Sequence, residues 1–147
     1  MSGEAMSSLG RPRHVVARVA EIPPGARRLV RLGERTIVVF NLGGEFFALN
    51  DRCPHGGGSL SCGVLTGLVE SPGPGRYSYT RKGEILRCPW HAWEFDIRTG
   101  RSVCDPRRMK VRQWPAGVAR GAALLEEGLA AETFAVSIED DYVVVEA

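Results

Sequence analysis

From His14 onward the chain is punctuated into short apolar stretches. His14–Ala20, Ala26–Leu32, Thr36–Leu42 and Glu45–Asn50 are rich in valine and leucine, with Pro23-Pro24-Gly25, Gly33 and Gly43-Gly44 between them. Runs of this length bounded by Gly and Pro predict β-strands joined by tight turns, most simply as hairpins. Thr36-Ile37-Val38-Val39-Phe40 is the most apolar of them and is expected to be a central strand. Alternation returns at Lys110–Trp114, at Thr133–Glu139 and at Tyr142–Val145, the last two joined by Asp140-Asp141. Ala122–Ala131 has the composition of a short helix, weakened by Gly128 and by the neighbouring Gly121.

Between Asp51 and Asp105 the pattern changes. This stretch has little periodicity, many glycines, all four cysteines and two of the three histidines. Within it Ser71-Pro72-Gly73-Pro74-Gly75 breaks the chain, and Arg76–Thr80 with Glu84–Arg87 predicts a hairpin around Lys82-Gly83. The expected fold is all-β, an antiparallel β-sandwich with an inserted subdomain of two loops. Its organisation is a flexible N-terminal tail over 1–13 and one domain over 14–147, with the irregular module at about 51–106.

Composition narrows the function classes. A chain of 147 residues has room for one hydrophobic core. A net charge of +2 argues against a dedicated nucleic-acid binder, which carries a strong basic excess. No apolar stretch approaches the roughly 20 residues of a membrane helix, so no membrane association is expected. Met1–Gly10 is polar, with no apolar core of a secretory signal. The expected compartment is the cytoplasm, where cysteines serve as metal ligands or thiols rather than as a disulfide framework.

Two segments carry the chemistry, Cys53-Pro54-His55 and Cys88-Pro89-Trp90-His91. Each offers a sulfur and an imidazole on one compact turn. Two sulfurs and two imidazoles suit a tetrahedral zinc ion, or a [2Fe–2S] cluster with two cysteines on one iron and two histidines on the other. A common zinc finger pairs Cys with Cys and His with His and puts the histidines on a helix. Here each segment mixes the two types amid Pro and Gly, as two facing loops that share one cluster require.

The pattern C-x-H followed by C-x-x-H resembles the Rieske [2Fe–2S] family. The surrounding residues are similar as well: Cys53-Pro54-His55-Gly56-Gly57 in the first loop, and Cys88-Pro89-Trp90-His91-Ala92-Trp93-Glu94-Phe95-Asp96 with Thr99-Gly100 in the second. The resemblance runs from about Val38 to Val145. It implies a Rieske-like sandwich and one Rieske-type [2Fe–2S] cluster held by Cys53, His55, Cys88 and His91. The loops lie farther apart than in compact ferredoxin-like members, and the surplus maps to Glu70–Lys82, read as a hairpin extension with a Pro/Gly tip.

The same resemblance sorts the kinds of Rieske protein. Members of respiratory and photosynthetic complexes carry an extra cysteine in each loop, where this chain has Gly58 and Trp90, and hydroxyl residues where it has Trp93 and Phe95. Losing hydroxyl donors to the cluster sulfurs implies a potential near the lower end of the roughly −150 to +300 mV Rieske range. Oxygenase subunits need a second iron held by two histidines and a carboxylate, and only His14 remains, upstream of the loops. The resemblance therefore implies a ferredoxin component, with a flavin reductase and a terminal oxygenase as redox partners and no small-molecule substrate or independent catalysis. The alternatives are an accessory small subunit of a larger oxidoreductase and a structural zinc module.

Other residues have plainer readings. Cys62 and Cys104 fall outside the ligand pattern and are expected to be semi-buried thiols, with Cys104-Asp105-Pro106 where the family has a proline-containing loop over the cluster. His14 is expected at the surface. Arg107-Arg108-Met109-Lys110-Val111-Arg112 is the most basic segment. As a strand it would put Arg108, Lys110 and Arg112 on one face, either as a solvated edge protected by its charges or as a docking stripe for an acidic redox partner.

Overall fold

The run Ile37-Val38-Val39-Phe40 is fully buried at every position, which a strand achieves only when both of its faces are covered. A computed structural model describes residues 12–54, 58–89, 93–129 and 134–147 and shows how. The strands are β1 (Arg13–Arg18), β2 (Arg27–Leu32), β3 (Arg35–Leu42), β4 (Glu45–Asn50), β5 (Val64–Gly73), β6 (Arg76–Arg87), β7 (Glu94–Asp96), β8 (Gln113–Trp114), β9 (Ala116–Arg120) and β10 (Asp141–Glu146), with one α-helix, α1 (Gly121–Glu126). They form three antiparallel sheets, ordered β1-β10-β9, β2-β3-β4-β8 and β5-β6-β7. The expected all-β antiparallel class is what the chain adopts.

The four-stranded sheet is the middle layer. Ile37 and Val39 of β3, with Phe46 and Ala48 of β4, pack against Ala17, Val143 and Val145 of the sheet around β10. Val38 and Phe40, one residue out of phase, turn the other way. They join Leu49, Leu60, Leu86, Phe95 and Ile97 in a second core that also contains Cys53 and Cys88. The period of two along a strand thus divides one apolar run between two cores. A third, smaller cluster places Leu124 and Leu129 against Tyr142 and Val144 on the far side of the β10 sheet.

The turns read from glycine are present where β3 meets β4. Gly43 and Gly44 both take positive φ, 64° and 99°, as two-residue hairpin turns of the favoured hand require. The buried Asn41 amide locks this corner, donating to the Ile22 carbonyl at 2.7 Å and accepting from the Gly44 N–H at 2.7 Å.

Several expectations are corrected. The hairpin around Lys82-Gly83 does not exist: Arg76–Arg87 is one strand, and the reversal lies at Pro74-Gly75, between β5 and β6. Arg81 (φ 51°) and Gly83 (φ 80°) form a bulge instead, because the register jumps from Thr66↔Ile85 to Leu68↔Thr80. The segment 71–75 accordingly breaks the chain only at its last two residues, and the extension read over 70–82 is the far end of this long hairpin. The stretch 134–139 is not a strand (residue 133 lies outside the described residues), since β1 and β9 already occupy both edges of β10. It packs by side chains: Phe134 stacks on Tyr142 with ring centroids 5.7 Å apart, and the Ser137 N–H donates to the Tyr142 hydroxyl at 2.6 Å. In the 110–114 strand only Gln113 and Trp114 pair as a strand, and β9 follows directly. Of the helix predicted at 122–131 only α1 forms among the described residues (130 and 131 lie outside them), and its first position takes glycine because a side chain there would run into the Ser137 carbonyl. Of the predicted tail, residues 1–11 lie outside the described residues.

The bulge has an electrostatic function. Arg81 reaches Asp96 at 2.7 Å and Glu84 at 3.1 Å, while Arg98 reaches Glu84 at 2.8 Å and Glu45 at 3.4 Å. This network joins β4, β6, β7 and the turn after β7, clamping the outer sheet onto the middle one. The Arg98 hydrogen bond is the main cause that holds the Glu84 carboxyl below its ordinary value of 4.5. A depressed folded-state pKa contributes stability that is present above 4.5 and is lost as pH falls through the lowered value. Glu84→Gln should therefore be less stable than the wild type by about 1 kcal/mol at pH 7. In chemical unfolding the gap should narrow as pH falls below 4.5; a gap independent of pH would contradict the ion-pair account.

Candidate metal centre

Two loops hang from the strand ends that converge on the second core. The first follows β4. Asn50 is fixed on both sides, its Oδ1 accepting from Trp114 Nε1 at 2.9 Å and its N–H donating to the Arg112 carbonyl at 2.9 Å. The Asp51 carboxylate then accepts from the Ser59 hydroxyl at 2.6 Å and from the Ser61 N–H at 2.5 Å. Arg52 and Ser59 face each other across an antiparallel bridge. The loop leaves at Cys53, whose N–H donates to the Gly58 carbonyl at 2.8 Å.

The second loop repeats this construction. Arg87 of β6 pairs with Glu94 of β7, and the Cys88 N–H donates to the Trp93 carbonyl at 2.7 Å. In both loops a cysteine closes the base by a bond to the carbonyl five residues on. Pro54 and Pro89 follow the cysteines, each at an exposed turn position. The described chain thus leaves and re-enters both loops at matched stems. His55 and His91 fall within these loops, with Gly56, Gly57, Trp90 and Ala92, and all six lie outside the described residues.

Cys53 and Cys88 are each only 1% exposed and belong to one apolar cluster with Leu60, Leu86 and Phe95. No disulfide joins any two of the four cysteines, all of which are among the described residues. A thiolate among such neighbours is costly unless a metal ion offsets its charge. A pair of sulfurs brought from separate loops into one dry core fits a shared metal group. Trp93 is partly buried against this cluster and Phe95 fully buried within it, so neither position presents a hydroxyl to the sulfurs.

A third segment covers the stems. The Val103 N–H donates to the Glu94 carbonyl at 2.9 Å, Ser102 pairs with Phe95, and Met109 packs against the cluster that holds both cysteines. Cys104 lies in this segment, 3.6 Å from the Ser102 hydroxyl. It is exposed, and so is Cys62 just after the first loop, which corrects the expectation of semi-buried thiols. His14 is also corrected: it is half-buried, with Nε2 donating to the Ala147 carbonyl at 3.1 Å. The residues that sequence reasoning passed over are Asp51, Ser59 and Ser61. Asp51 reaches eight and ten residues along the chain, beyond the span of any local turn or capping pattern, so nothing in the sequence singles these residues out.

Comparison with known proteins agrees with this architecture. The profile of the Rieske [2Fe–2S] domain family matches residues 13–115. The chain is 32% identical over 108 residues to the 3-phenylpropionate/cinnamic acid dioxygenase ferredoxin subunit of Escherichia coli (strain K12), covering 74% of this chain and 87% of that protein. It is 33% identical over 100 residues to the protein of the same description from Shigella boydii serotype 4, covering 68% and 79%. Among solved structures, the Sphingomonas yanoikuyae B1 ferredoxin shares the fold, with TM-score 0.58 and 23% identity over 92% of this chain and 98% of that one. So does a chain from the complex of reduced oxygenase and oxidized ferredoxin in carbazole 1,9a-dioxygenase, with TM-score 0.58 and 24% identity over 91% and 92%.

No helix among the described residues is long and apolar enough to cross a membrane. Of the two metal groups the donor set allows, the family match selects the iron–sulfur cluster over zinc. The chain belongs to the Rieske [2Fe–2S] domain family, and its cofactor is one Rieske-type [2Fe–2S] cluster.

Proposed function

We propose that this chain is a cytoplasmic Rieske-type ferredoxin, carrying single electrons from a flavin reductase to a terminal oxygenase. The observation that carries the proposal is the matched pair of loops whose cysteines both lie in one dry core. Cys53 and Cys88 are the ligands of one iron, and His55 and His91 of the other. The domain spans 14–147, with β1 starting one residue earlier, and the cluster module lies at about 51–106. The names of the relatives, ferredoxin subunits of a dioxygenase, support the place in an oxygenase system.

The cluster supplies, when bound, a one-electron redox couple. The chain supplies its setting. The backbone bonds Cys53–Gly58 and Cys88–Trp93 fix both sulfurs, and Asp51 holds the first stem closed through Ser59 and Ser61. Leu60, Leu86, Phe95 and Ile97 exclude water from the sulfur side. Electron exchange is then confined to the side away from this apolar core.

Two measurements test this. Anaerobically purified holoprotein should be brown, bleach partly with dithionite and give the EPR signal of a histidine-ligated [2Fe–2S] cluster. Cys53→Ser, His55→Ala, Cys88→Ser and His91→Ala should each abolish that signal, while Cys62→Ser and Cys104→Ser leave it intact. A ligand variant with the wild-type spectrum would remove that residue from the assignment.

The potential provides the second test. With Phe95 in place of a hydroxyl donor, the wild-type midpoint should fall near the low end of the roughly −150 to +300 mV range. Phe95→Tyr should raise it by about 20–60 mV, the equivalent of one hydrogen bond of about 0.5–1.5 kcal/mol. An unchanged midpoint in a variant with intact EPR would show that this position does not face the sulfurs.

A further inference from the structure

We infer that the basic side chains of the segment covering the two loop stems form a docking surface for a redox partner protein that presents carboxylates there. The inference rests on the ferredoxin reading above, because it places the electron's exit beside these loops.

Between residues 97 and 116 the chain has six cations, Arg98, Arg101, Arg107, Arg108, Lys110 and Arg112, against a single carboxylate, Asp105. Arg98 is committed to Glu84 and Glu45. The other five are exposed, and none forms a salt bridge among the described residues. Arg52, exposed at the stem of the first loop, is in the same condition. Neighbouring carboxylates are engaged elsewhere: Asp51 caps Ser59 and Ser61, and Glu94 faces Thr66 and Arg87. Glu34 is the exposed acid beside Arg35 and Arg52, at the rim of a 520 Å³ groove.

The position of these charges is tied to the loops by backbone bonds. The Asn50 N–H holds the Arg112 carbonyl at the root of the first loop, and the Val103 N–H holds the Glu94 carbonyl at the exit of the second. The basic segment therefore spans both stems.

Edge protection does not explain Arg107 and Arg108, which stand in a turn and not on a strand edge. Beyond that turn the Ser102 N–H bonds the Met109 carbonyl and the Val111 N–H bonds the Gly100 carbonyl, at 2.9 and 2.6 Å. That pairing also sets Arg101 directly opposite Lys110, and like charges in that position destabilise a sheet. The fold bears a repulsion that an acidic partner surface would relieve. Such complementarity acts mainly on encounter rate and is screened by salt.

The test uses holoprotein in stopped-flow with two protein probes of opposite charge: a fully reduced acidic flavodoxin, which gives one electron to the oxidised protein, and a basic cytochrome c, which takes one from the reduced protein. With flavodoxin the second-order rate should fall about tenfold between low and high salt. The triple variant Arg107→Glu, Arg108→Glu, Lys110→Glu should lose at least about fivefold of the low-salt rate, flatten its salt dependence, and react faster with cytochrome c. Arg120→Glu, on the sheet around β10, should change neither rate. A triple variant with intact EPR and wild-type rates towards both probes would overturn the docking surface and leave the ferredoxin reading standing. So would a wild-type rate with flavodoxin that rises with salt. A chain that binds no cluster would overturn both.

Discussion

The burial of β3 on both faces is the constraint on which the rest of the structure depends. Ile37 and Val39 need one partner sheet, Val38 and Phe40 another, and the chain provides them from its two ends and from its middle. The first core closes the sandwich and is ordinary packing. The second admits two cysteines among leucines and phenylalanine, where burial of each large apolar side chain contributes about 1.5–3 kcal/mol. The same hydrophobic free energy that assembles the domain thus carries Cys53 and Cys88 into one core.

The loops gain their form from much weaker and more local terms. Each is a short antiparallel pair ending in a cysteine N–H that closes on a carbonyl five residues later. Matching geometry from two unrelated stretches of chain gives two equivalent stems, and the shorter C-x-H and longer C-x-x-H spacings differ only in what lies between. The outer sheet that presents the second loop is held by ion pairs as well as by apolar contact, with Arg81 and Arg98 sharing Glu84. Electron carriers profit from such rigidity, since a redox site that does not rearrange loses little energy on gaining an electron.

Much of this was legible in the chain. The apolar runs between glycine turns located β1 to β4 within a residue or two, and the Cys/His spacing, with its flanking Pro and Gly, picked out the two loops. What remained hidden has physical reasons. Period-two alternation at 134–139 is real, with Phe134 and Val136 packed inward, but a strand also needs a free ladder edge, and β10 had none left. Lys82-Gly83 looks like a turn because positive φ suits both turns and bulges, and only the pairing of β5 with β6 decides between them. The exposure of Cys62 and Cys104 depends on how two loops pack, which local composition does not encode.

The central claim is that each loop gives one sulfur and one imidazole to the same cluster. Pulsed EPR of the dithionite-reduced holoprotein, grown with ¹⁵N-histidine, tests it most directly. Couplings from two histidine nitrogens are expected, unchanged in His14→Gln. A spectrum without histidine coupling, as from a cluster held by sulfur alone, would contradict it.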